Sequence, residues 1–168
     1  APFIGNEKVV IEFKTPSHET TLKFIGQLTR IYGHEKLKQG TQSYVIDFIS
    51  PEFVRNQKTL FSKSYNKMYI SDMVGDIYKN YLSDVGSKKM SISPTRNASS
   101  RVVPNMSPFG AIRWLTQAAQ SKRYSTGSSY VFFENQNGYQ FGSLEEIARG
   151  PVAATYKNNI VSAQEGQN

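Results

Sequence analysis

The first third of the chain alternates. Val9, Ile11 and Phe13 are apolar, and Val10, Glu12 and Lys14 fall between them, which predicts a strand with one apolar face. Leu22, Phe24 and Leu28 share parity, with Gly26 among them; a glycine there marks a bulge or a close backbone approach. Thr29-Arg30-Ile31-Tyr32 extends this second strand to Gly33, residues 34–42 read as a polar connection, and Tyr44, Ile46 and Phe48 alternate as a third strand. Thr15-Pro16-Ser17-His18 reads as a turn between the first two.

Beyond Ser50 the period changes. Pro51 to Lys67 is transitional: Glu52 to Arg55 suits one helical turn, and Phe61 to Tyr65 carries no clear signal. Met73, Val74, Ile77, Tyr78, Tyr81 and Leu82 form a helical stripe over 71–82, with Ser71 as cap and Asp72 complementing the helix dipole. Met90-Ser91-Ile92 suits a short strand, and residues 93–106, with Pro94 and Pro104, read as an exposed loop.

The stretch from Ser107 to Ile147 organises the rest. Ser107 suits an N-cap and Pro108 the first helical position. Ala111, Trp114, Leu115 and Ala118 share one face, flanked by Ile112 and Ala119, in a helix expected to end near Arg123. Tyr130-Val131-Phe132-Phe133 and Tyr139-Gln140-Phe141 read as two strands of a hairpin turning at Asn137-Gly138. Ser143 and Glu146 have capping-box spacing. Val152 to Tyr156 reads as a strand or a linker, and the polar tail from Ser162 is expected to fray.

These residues carry a resemblance. The proline and aromatic before the Trp114-Leu115 helix, its paired Ala118-Ala119, and the run from Tyr130 to Ile147 resemble phage baseplate hub proteins, those of large contractile-tailed (T-even-like) phages above all. Tail and spike proteins of other contractile injection systems are similar in the same helix-then-hairpin pattern. Arg30 to Gly33 and Ser43 to Glu52 resemble the strand pair and the corner after it in the same family. The resemblance implies an α+β fold: a partial antiparallel tail-tube-like β domain over 1–52, an α+β hub domain over 53–150, and a linker or next domain over 151–168. It implies a trimeric structural protein joining tail tube to central spike, without catalysis or cofactor, in the tail baseplate of the virion and assembled in host cytoplasm. DNA would be passing cargo only.

Composition narrows the alternatives. The 168 residues are 38% apolar and 20% charged, enough for a packed core. No apolar run approaches the roughly 20 residues of a membrane span. Opening on Ala1-Pro2-Phe3, without Met, suggests a processed chain or a piece of a longer one. There is no cysteine, so no disulfide and no Cys-based metal site. His18 and His34 are poor material for zinc or for a nucleophile's base. No nucleotide-binding, zinc-protease or hydrolase motif is present.

Glu134 with Glu145 or Glu146 is the one candidate carboxylate pair for glycosidase chemistry, and solvent-facing and capping roles explain them better. A net charge of +7, spread thinly, is compatible with a basic nucleic-acid-binding module using stacked aromatics, which is the rival reading. Trp114, Leu115, Ile77, Tyr81 and Phe141 are the expected core anchors. Phe24, Phe48 and one of Phe132 and Phe133 are the candidate subunit contacts, since successive strand residues point to opposite faces.

Overall fold

Alternation in the first third produces three strands, β1 (Lys8–Phe13), β2 (Leu22–Lys36) and β3 (Gln42–Ile49), in an antiparallel sheet ordered β1-β2-β3. The computed structural model describes residues 7–14, 21–36, 42–86, 88–126, 128–151 and 155. The turn expected at 15–18 and the segment 152–154 with Tyr156 lie outside them. Residues 34–36 and 42, expected in a polar connection, are strand: β2 and β3 stay paired out to Lys36 and Gln42. Two irregularities make this possible, one between Leu28 and Arg30 and one between Tyr32 and Glu35, where Gly33 has φ +64°. The Phe48 ring lies across Gly26 and leaves no room for a Cβ, so the close approach expected there is made by a side chain and the bulge falls further on.

α1 (Pro51–Lys58) follows at once and is twice the single turn expected. β4 (Phe61–Met68) then pairs antiparallel with β6 (Ser99–Met106). β6 replaces the second part of the loop expected over 93–106, and residues 93–98 stay outside the named strands. Its Pro104 and Asn105 misled because the ladder shifts register between Phe61 and Lys63, and again between Tyr65 and Met68. Asn105 and Lys67 take positive φ at these shifts, and Pro104 sits where a bulge tolerates it. Val103 is fully buried, which no exposed loop explains.

α2 (Ile70–Tyr81) is the centre of the core: Met73, Val74 and Ile77 are fully buried, as is Leu82 just beyond it. Its cap is Tyr69, not Ser71, whose backbone N–H donates to Thr95 Oγ1 at 3.0 Å. α3 (Pro108–Thr116) opens as its sequence requires, with Ser107 Oγ accepting from the Gly110 N–H at 3.3 Å. It stops at Thr116, well short of Arg123, because the backbone beyond finds other partners. The Arg96 N–H donates to the Gln120 carbonyl at 2.9 Å, and the Lys122 N–H to the Pro94 carbonyl at 3.1 Å.

β5 (Met90–Ile92), β8 (Gly138–Ser143) and β7 (Tyr130–Asn135) form the third sheet, with β5 parallel to β8 and β7 antiparallel to it. The hairpin turn is Gln136-Asn137, one residue earlier than expected, since Asn135 pairs with Gly138. Asn135 Oδ1 accepts from the Asn137 N–H at 2.9 Å, and Gly138 begins β8 with φ +115°. A Cβ at Gly138 would collide with the Lys89 carbonyl, which accepts the Tyr139 N–H at 2.8 Å. α4 (Leu144–Ala148) closes the series, Ser143 Oγ accepting from the Glu146 N–H at 3.2 Å. Among the described residues the fold is mixed α+β with mostly antiparallel sheets and no closed barrel.

Candidate functional site

The register of β1-β2-β3 defines a surface. Residues directly opposite in an antiparallel pair share a face. Ile11 faces Phe24 and Phe13 faces Leu22; across the other ladder Leu28 faces Phe48 and Ile31 faces Ile46. With Val9 and Tyr44, these positions form one apolar face. The same register puts Lys8, Glu12, Lys23, Gln27, Arg30 and Asp47 on the other, together with the exposed Val10, Tyr32 and Val45.

Most of the apolar face is open. Phe13 is 52% exposed, Phe24 43%, Tyr44 43% and Ile46 40%, whereas Leu28 is buried. Contiguous apolar surface of this kind marks an interaction site. Among the described residues β1 and β3 are also the outer strands of the sheet, and an outer strand offers unpaired N–H and C=O groups to a further chain.

The expected residues fall into two groups. Leu115, Ile77 and Phe141 are buried in the core, and Tyr81 packs against it, stacked on Phe61 at 4.3 Å. Trp114, expected as the anchor, is half-buried: the buried arc of α3 runs through Ala111, Ile112 and Leu115, leaving Trp114 on its flank beneath the Arg101 guanidinium. Phe132 packs inward against Phe109 and Tyr139, so Phe133 is the outward member of that pair. Phe24 and Phe48 lie together on the open face of the first sheet, far along the chain from Phe133. Leu22, Tyr44 and Ile46 belong to the same surface, and the parity that located Phe24 and Phe48 was the signal that would have found them.

Among the described residues, two of the candidate acids are each held by a cation. Glu134 is bound by Lys88, and Glu146 by Arg123. His34 Nε2 lies 3.2 Å from Gln42 Oε1 with its ring stacked on Tyr44; His18 is outside the described residues. Burial pushes the Tyr139 phenol well above its ordinary value, against the pull of its 3.1 Å contact with Ser50 Oγ. Burial likewise raises Tyr78, whose hydroxyl donates to the Lys88 carbonyl at 2.6 Å. Among the described residues no three His, Asp or Glu side chains cluster as metal ligands would, and no helix is long and apolar enough to cross a membrane.

In comparisons with known proteins, no protein-family model and no curated protein matches the chain.

Proposed function

We propose that the chain is a structural subunit of a phage tail baseplate hub, in which copies of it associate through the first sheet to form a ring linking tail tube to central spike. The observation that carries this is the apolar face built from Phe13, Phe24, Tyr44, Ile46 and Phe48, exposed on a sheet whose outer strands are β1 and β3. Pairing of those strands between copies gives the open backbone groups partners, and rotational symmetry closes the ring so that no edge remains. The likeness of the Trp114 helix and the hairpin to hub proteins supports the trimer as the closed form. In this reading the β1-β2-β3 sheet is the tail-tube-like part, catalysis belongs to other proteins, and the protein resides in the virion tail.

The arrangement of charge favours assembly over nucleic-acid binding. A single-strand binder mixes cations with its stacking aromatics. Here Lys8, Lys23 and Arg30 occupy the opposite face from Phe13, Phe24 and Phe48, and Tyr32, which shares their face, is already covered by the Arg30 guanidinium. Sedimentation equilibrium of the chain tests the proposal. The expected species is a trimer that Phe24→Asp with Phe48→Asp converts to a folded monomer. A wild-type chain that stays monomeric at high concentration, with no binding of a hydrophobic dye, overturns it.

A further inference from the structure

A carboxylate taken out of water needs donors, because an ionised group buried alone is costly. Glu52, in the first turn of α1, is 1% exposed, and neither of its oxygens has a hydrogen-bond partner among the described residues. Gly86 lies against this carboxylate so closely that a Cβ would not fit, which closes one side with backbone. Glu52 also borders a cavity of about 450 Å³ between β1-β2 and the start of α1. Ile25, Pro51 and Val85 supply apolar wall, and Lys8 and Lys88 line it too. A second cavity of about 410 Å³ adjoins it through Ile25 and Lys88.

Two of the other charges here are already matched, while Lys8 has no ion-pair partner among the described residues. Asp84, in the same lining, is bound by Arg55, and Lys88 is bound by Glu134. Lys8 forms no ion pair with Glu52, so that carboxylate still lacks hydrogen-bond donors carrying a single positive charge. A dication suits the site poorly: calcium takes six to eight oxygens, whereas Glu52 is the one unengaged acid in a lining that also holds two lysines. A guanidinium presents parallel N–H groups that match two carboxylate oxygens at once, and its aliphatic stem lies well along apolar wall.

We propose that this cavity is a docking site for an arginine side chain of a partner polypeptide, whose guanidinium takes both oxygens of Glu52. The adjoining cavity gives the partner's main chain room to continue past Lys88. The Glu52 cavity itself is lined by neither Phe24 nor Phe48 and does not rest on ring assembly, although both rings border the adjoining cavity. The internal rival is Lys8, whose ammonium borders the same cavity.

Titration with N-acetyl-arginine methylamide, followed by amide chemical shifts, tests the assignment. Saturable shifts at Glu52, Val85 and Gly86 are expected, with an intermolecular NOE from the guanidinium-bearing chain to Gly86 Hα in the unaltered protein. Glu52→Gln should weaken binding at least tenfold, and N-acetyl-lysine methylamide should bind at least several-fold more weakly than the arginine compound. No saturable shift overturns the proposal, as does equal binding by Glu52→Gln or by the lysine compound. Calcium chloride producing the same shifts, or Lys8→Ala being required before any binding is seen, overturns it too. Should Glu52→Gln fail to fold, the NOE in the unaltered protein decides.

Discussion

Tyr65 donates its phenolic proton to Asp76 Oδ2 across 2.8 Å, tying β4 to α2. Lys63 Nζ donates to the same oxygen at 2.6 Å, and Asn80 Nδ2 reaches Oδ1 at 2.7 Å. Burial alone would raise the Asp76 carboxyl, but the hydrogen bonds from Lys63, Tyr65 and Asn80 outweigh it and hold the group below its ordinary 3.8. A carboxylate with a depressed folded pKa contributes stability above its unfolded pKa and loses it as pH falls through the folded value. Thermal melts below about pH 4 should therefore decline more steeply for the wild type than for Asp76→Asn. At neutral pH Tyr65→Phe should cost about 2 kcal/mol, because the lost bond is charge-assisted.

At the alkaline end the sign reverses. Burial first, and neighbouring carboxylates second, push the phenols of Tyr65 and Tyr78 above their ordinary 10.0; burial also raises Tyr130 and Tyr139. The folded state then holds these protons more tightly than the unfolded chain does. Stability is fully present below about pH 10 and is lost as pH rises beyond it. Melting temperature should fall above that point, and the tyrosinate absorbance of these four rings should appear together with unfolding. Ionisation of these four rings in a protein that stays folded would contradict this.

α3 allows a direct comparison of neighbours. Leu115 is 1% exposed, and Leu115→Ala should cost about 2–5 kcal/mol through lost transfer energy and the cavity left behind. Trp114→Ala removes a larger side chain from a half-buried flank and should cost less, about 1–2 kcal/mol. Urea denaturation of the two variants settles the order.

Gly138→Ala should destabilise by about 2 kcal/mol or more, since φ +115° is strained for any side chain and the Lys89 carbonyl occupies the space. The damage should show first as loss of hydrogen-exchange protection at the Tyr139 amide, whose acceptor is that carbonyl.

What could be read from residues alone followed the strength of periodicity. The stripe from Met73 to Leu82 and the alternation in β1 to β3 lie where tertiary structure agrees with local pattern. β4 did not show itself because its inward positions are Phe61, Lys63 and Tyr65, and the lysine is tolerated there only because Asp76 of α2 receives it. β6 hid behind Pro104 and two register shifts. The turn at Gln136-Asn137 slipped by one because Gly138 serves the approach of Lys89, not the turn itself. The face holding Phe24 and Phe48 was legible by parity as far as Leu28. Glu52 gave no sign, as an acid after a helix-opening proline reads as ordinary first-turn charge.

β2 spends two residues between Leu28 and Arg30 where β3 spends one, and Thr29 is the surplus. This gives the strand slack that its neighbour does not have. Deleting Thr29 would remove this irregularity and leave Ile31 beside Ile46, whereas deleting Ile11 from the regular β1 would turn inside out whatever follows it. A change of one residue in chain length is thus absorbed where the ladder is already irregular, and not along β1.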